Sequence, residues 1–127
     1  MGHKDKKRPV NLNMMKMKFP IMAITSILHR ISGVVIFLSI PFVLYIMQQA
    51  HGGVDGYEQL EFLFSGALVK LVCWFLISAF FYHVIAGIRH LILDMGIGEQ
   101  LRPARYSAWF IVLLEIVVII TIGDWLW

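Results

Sequence analysis

Cysteine occurs once in the 127 residues, at Cys73, so the chain can close no internal disulfide and cannot hold a cysteine-ligated iron–sulfur cluster by itself. Charge is scarce as well: 15% of residues are charged against 59% hydrophobic, with a mean hydropathy of +0.76. A soluble domain carries about 25% charged residues, so this composition excludes one. There is no phosphate-cradling glycine loop, metalloprotease pattern, internal repeat or low-complexity tract. Nucleotide-binding, zinc-peptidase and solenoid readings therefore have nothing to rest on.

What is present is apolar sequence in lengths that suit a bilayer. A spanning helix needs about 20 predominantly apolar residues. Three runs approach that, over residues 26–49, 68–88 and 108–127, behind an N-terminal arm of residues 1–25. The first is free of charge from Ile31 to Met47 and reaches full length only across Arg30; the second carries Lys70 and His83; the third carries Glu115 and Asp124. The expected fold is one all-α integral membrane domain over residues 1–127. Trp74, Trp109, Trp125, Trp127, Tyr57 and Tyr106 fall near expected helix ends, where amphipathic rings suit the headgroup level. Pro41 should kink the first helix, since it removes a backbone donor.

Positive charge sets the expected orientation. The N-terminal arm up to and including Arg30 holds Lys4, Lys6, Lys7, Arg8, Lys16, Lys18 and Arg30, and Arg89, Arg102 and Arg105 follow the second run. The connection from Gln48 to Ala67 has no basic residue but carries Asp55, Glu58 and Glu61. The N-terminus is thus expected inside and the C-terminus outside. The net charge of +3 and pI near 9.2 express this inner-face bias, and they lend a nucleic-acid reading little support. The basic start lacks the apolar core and cleavage pattern of a signal peptide and is too short for a transit sequence. That favours a bacterial inner membrane over a mitochondrion.

Against this apolar background two polar groups stand out. His83 lies inside the second run, in His83-Val84-Ile85-Ala86-Gly87-Ile88-Arg89-His90. A buried imidazole costs several kcal/mol, roughly, unless it is hydrogen-bonded or bound to metal. The functional reading is axial ligation of haem iron, with Ala86 and Gly87 leaving room for a flat macrocycle. The plainer reading is a histidine bonded to a neighbouring helix. In the first run, Ser26, His29, Arg30 and Gly33 recur at i, i+3, i+4 and i+7, hence on one helical face. Arg30 either serves a site there or merely anchors topology. The first helix starts at the face where the second ends, so Arg30 and His83 should share a depth, and a haem on His83 would direct its propionates toward His29 and Arg30. His83 and His90 cannot both ligate one iron. Seven residues of helix separate them by about 10.5 Å, whereas trans nitrogens lie about 4 Å apart. The second ligand must come from His29 or another chain.

At these residues the sequence resembles the cytochrome b subunit of succinate dehydrogenase, the larger membrane-anchor chain of respiratory complex II. Arg8-Pro9-Val10 followed by Ser26-Ile27-Leu28-His29-Arg30-Ile31-Ser32 is similar to that family's first signature, and His83-x-x-x-Gly87-Ile88-Arg89-His90 with Asp94 to its second. Leu93 departs from the family's usual aromatic or methionine. The resemblance implies that His83 supplies one axial ligand to haem b and that a second small membrane subunit supplies the other, the two subunits packing into a haem-binding bundle. It implies that Ser26 and Arg30 help form a ubiquinone site. It also implies a flavoprotein subunit carrying FAD and an iron–sulfur subunit, both tethered to the membrane, serving the tricarboxylic acid cycle and aerobic respiratory chain.

The chemistry of the residues agrees. Ser26 can donate to a quinone carbonyl, and Arg30 can stabilise the charge that develops there on reduction. Nothing in this chain suits FAD or succinate chemistry, so no complete active site is expected in it. The competing readings are the anchor of a quinol:fumarate reductase and a cofactor-free structural anchor. The roles of Lys70, Asp94 and Glu115 are open at this level.

Overall fold

The computed structural model describes residues 20–127. The basic arm through Lys18 and the Arg8-Pro9-Val10 motif lie outside the described residues. Four helices follow in order: α1 over Ile21–Ala50, α2 over Gly53–Ser65, α3 over Ala67–Asp94 and α4 over Leu101–Leu126. Of these, α1, α3 and α4 are long and apolar enough to cross a membrane. At about 1.5 Å per residue they run about 39–45 Å, longer than a hydrocarbon core of about 30 Å, so each carries turns beyond it or tilts.

That excess explains where the helices depart from the apolar runs. Hydropathy marks the segment that prefers lipid, whereas a helix continues until its backbone is capped. The α1 helix starts at Ile21, straight after Pro20, whose φ of −64° and extended ψ suit a helix entry. Thus Ser26, His29 and Arg30 all lie well inside it. Pro41 lies inside α1, which continues through it from Ile21 to Ala50. At the other end, α3 runs to Asp94 and takes in Arg89 and His90. It closes on a Schellman turn: Gly96 N–H donates to Leu93 O at 2.9 Å and Ile97 N–H to Ile92 O at 3.2 Å. Gly96 supplies the left-handed residue this turn requires, at φ 79°. The short α2, in the stretch between the first two runs, is an element that hydropathy does not reveal. Its Gly56 packs directly on the carbonyl of Gln49, where a Cβ would collide with backbone.

Packing among the spans is made by small and polar side chains. Thr25, Ser32, Cys73, Ser78, Ala86, Ala104 and Ala108 are buried, while large residues such as Phe37, Leu38, Leu68, Phe75 and Phe110 point outward. Such an inside-out pattern fits a bilayer, where hydrocarbon surroundings do not drive helices together and close backbone approach does. Polar tips then fasten the helices. Tyr82 OH donates to Thr25 O at 2.9 Å, joining α3 to α1. Trp74 Nε1 donates to Ile119 O at 2.8 Å, joining α3 to α4, so this ring fastens helices together. Arg89, counted above with the loop after the second helix, is a buried residue of α3. Its Nε donates to Ser107 Oγ at 2.9 Å and its Nη2 to Ala104 O at 2.8 Å.

Candidate functional site

The site forms where α1 and α3 cross. His83 of α3 turns its Nδ1 toward α1, 3.1 Å from the carbonyl of His29 and 3.1 Å from Ser32 Oγ. A carbonyl only accepts, so Nδ1 must carry the proton. Ser32 in turn donates its own hydrogen to His29 O at 2.7 Å, which leaves its oxygen free to accept from Nδ1. The three contacts are consistent with one arrangement: Nδ1–H is shared between two oxygens, and the lone pair sits on Nε2. That is the tautomer a metal-ligating histidine requires, fixed by the bond its other nitrogen makes. Nε2 of His83 has no hydrogen-bond partner among the described residues.

Two glycines make the approach possible. A Cβ on Gly33 would stand 3.0 Å from His83 Cε1, and one on Gly87 would stand 3.3 Å from His29 Nε2. Each imidazole therefore lies in a notch that the opposite helix leaves open. The His29 ring stacks on that of His83 with centroids 4.3 Å apart and planes 16° from parallel. The ring of His90 is also near His29, with centroids 5.1 Å apart and planes 42° from parallel. Rings stacked face to face do not converge their lone pairs on one metal. The His29 and His83 rings thus do not aim at one common atom in this arrangement.

The remaining expected site residues are distributed as follows. His29 and Gly33 face α3, Ser26 is half-buried, and Arg30 is exposed. The stripe of four straddles the edge of the α1–α3 contact, with Arg30 on its open side. Ala86, expected beside a macrocycle, is instead in the core with Tyr82 and Ile111, where α4 fills the space. Gly87 alone lies on the histidine side, against His29. Among the described residues no group of three or more His, Cys, Asp or Glu side chains is arranged to hold a metal ion. A single histidine with an open Nε2 fits haem, which brings four of its own nitrogens, better than a bare ion. Sequence reasoning left Ser32 without a role, because one serine beside a glycine carries no signal until its cross-helix partner is known.

The profile of the succinate dehydrogenase/fumarate reductase transmembrane subunit family matches residues 4–122. The chain belongs to that family. Its relatives include the succinate dehydrogenase cytochrome b556 subunit of Coxiella burnetii, 40% identical over 95% of this chain and 98% of that one. The cytochrome b556 subunit of Rickettsia bellii is 30% identical over 94% of this chain and 91% of its own. The cytochrome b560 subunit of Reclinomonas americana is 27% identical, covering 94% and 85%. The family match takes in both histidine-bearing segments and the greater part of all three long helices. It makes the chain a multi-pass, all-α membrane subunit of the succinate dehydrogenase cytochrome b type.

Proposed function

We propose that this chain is the haem-carrying anchor of a bacterial succinate:ubiquinone oxidoreductase, with Nε2 of His83 as one axial ligand to a haem b shared with a second small membrane subunit. The observation that carries this reading is the paired acceptor at Nδ1, which in the neutral imidazole puts the lone pair on Nε2 and orients the ring before any iron arrives. The stack of His29 on His83 supports taking the second ligand from a partner chain. Bound there, haem would supply one-electron redox chemistry within the membrane.

The chain's own residues divide the other tasks. Arg30, on the open edge of α1, bears a charge that suits either a haem propionate or a quinone oxygen. His29, with its ring near those of both His83 and His90, suits a propionate. Ser26, one turn from Arg30, suits a hydrogen bond to a quinone carbonyl. The exposed apolar faces of α1, α3 and α4 suit lipid and the second anchor subunit. The flavoprotein and iron–sulfur subunits would dock at the inner face, with the N-terminus inside the bacterial inner membrane and the C-terminus outside. The relatives are named succinate dehydrogenase subunits, which supports succinate oxidation over fumarate reduction as the physiological direction.

The test is an optical and electron-spin spectrum of the purified complex carrying His83→Leu. The expected result is loss of the six-coordinate low-spin haem signal, with His90→Leu retaining it. A low-spin spectrum unchanged in His83→Leu would remove His83 as a ligand.

A further inference from the structure

A serine inside an apolar helix has a local outlet for its hydrogen, the carbonyl one turn back. Ser32 and Ser39 of α1 and Ser107 of α4 all use it, donating to the carbonyls of His29, Ile36 and Ala104 at 2.7, 2.7 and 3.1 Å. A hydroxyl pinned in this way turns its oxygen outward as an acceptor. At Ser107 the direction is settled by chemistry, because a guanidinium only donates. Arg89 of α3 gives its Nε–H to Ser107 Oγ at 2.9 Å and an Nη2–H to Ala104 O at 2.8 Å. Ser32 repeats the motif on α1. His83 Nδ1, also on α3, lies 3.1 Å from Ser32 Oγ and 3.1 Å from His29 O. In both places a donor from α3 is received by a serine and the carbonyl that the same serine bonds. Ser39 makes the local bond but meets no polar side chain of another helix among the described residues.

The two acceptors at Nδ1 are unequal. His29 O already takes the Ser32 hydrogen and, inside α1, an N–H of its own helix. Ser32 Oγ has given its hydrogen away, which strengthens it as an acceptor. Ser32 is also only 6% exposed, so little competes for that oxygen. We propose that Ser32 is a positioning residue for the His83 imidazole and sets the potential of the haem bound there. This rests on the reading of His83 as a haem ligand. An acceptor drawing on Nδ1–H makes the ring more basic at Nε2, and a more basic ligand favours ferric iron, so Ser32 holds the haem potential down. Its second effect is geometric: two acceptors fix the rotation of the ring, whereas one leaves it room to swing.

The experiment is an optical measurement of the haem midpoint potential in the assembled complex, with the electron-spin spectrum of the oxidised haem as a second readout. It compares Ser32→Ala, Ser32→Thr and Ser39→Ala. Ser32→Ala should raise the reduced-to-oxidised ratio at a fixed potential by a few-fold and up to tenfold, which is up to about 59 mV for one electron. Its low-spin signal should also shift, because the ring is no longer held from two points. Ser32→Thr keeps the hydroxyl and should stay close to the unaltered complex in both readouts. Ser39→Ala removes the same local bond from the same helix and should change neither. An unchanged or lowered midpoint in Ser32→Ala, a shift of the same size in Ser39→Ala, or one as large in Ser32→Thr overturns the proposal. Should Ser32→Ala not assemble, Ser32→Cys, whose thiol is a weak acceptor, decides by the same criterion. Retention of low-spin haem in His83→Leu would defeat the ligand reading itself. Loss of that signal in His83→Leu with a midpoint indifferent to Ser32 would defeat only the role of Ser32.

Discussion

Gly33→Ala adds one methyl group at the place where α1 meets the His83 ring. The new Cβ would stand 3.0 Å from Cε1, closer than ordinary van der Waals contact at 3.4 Å or more, so the ring must retreat by a few tenths of an ångström. Nδ1 is held at 3.1 Å by each of its two acceptors, and a displacement of that size takes them toward the outer limit of a hydrogen bond. Overpacking of this kind costs about 1–3 kcal/mol, and a weakened neutral hydrogen bond adds about 0.5–1.5 kcal/mol. The gain from alanine over glycine within a helix is about 1 kcal/mol and offsets only part of this. Gly123 provides the comparison: its added Cβ would come no closer than 3.5 Å to Trp74 Nε1, so alanine there meets ordinary contact and should be neutral or mildly stabilising. The assay is haem content and the temperature at which the low-spin spectrum is lost in the purified complex. Gly33→Ala should lower both and Gly123→Ala neither. A Gly33→Ala complex with full haem and an unshifted transition would refute the close-approach argument.

Arg89→Leu removes two charge-assisted bonds to α4, those to Ser107 Oγ and Ala104 O, a loss of about 1.5–3 kcal/mol per bond that should show as reduced thermal stability of the complex. Arg89→Lys should not restore it, since an ammonium cannot span both acceptors as the planar fork does. At the proposed quinone site, Ser26→Ala should slow succinate:quinone turnover by about 10- to 150-fold, from a lost bond of about 1.5–3 kcal/mol. Arg30→Leu should impair it more than Arg30→Lys, with succinate oxidation by an artificial acceptor intact in both. Normal quinone turnover in Ser26→Ala and Arg30→Leu would return Arg30 to a topology anchor.

His83 was legible from sequence because an imidazole in a run of hydrocarbon has few reasons to be there, and the three spans were legible because lipid selects for length and apolarity. Ser32 and Arg89 were not. The role of Ser32 depends on a partner 51 residues away, and no local pattern encodes that distance. Arg89 reads as a loop charge because a basic residue ending an apolar run marks an interface, yet the helix continues past it and α4 folds back to satisfy it. The α2 helix is hidden for another reason: Gly52, Gly53 and Gly56 signal breaks, and its apolar side chains Val54, Tyr57 and Phe62 remain exposed, so no buried stripe marks a face. Glu115 was visible as an oddity, but only the packing of the helices shows it buried, with a carboxylate oxygen that has no hydrogen-bond partner among the described residues.

The bond at His83 Nδ1 also has a consequence for biogenesis. Both acceptors belong to α1, whereas the imidazole belongs to α3, and α2 intervenes between them in the chain. While α3 stands alone in the bilayer these two acceptors are not available to His83. Docking of α1 supplies them, with Gly33 and Gly87 letting the rings seat. The orientation of the His83 ring is therefore a joint property of the first and third helices, and a nascent chain stalled short of α3 does not have it.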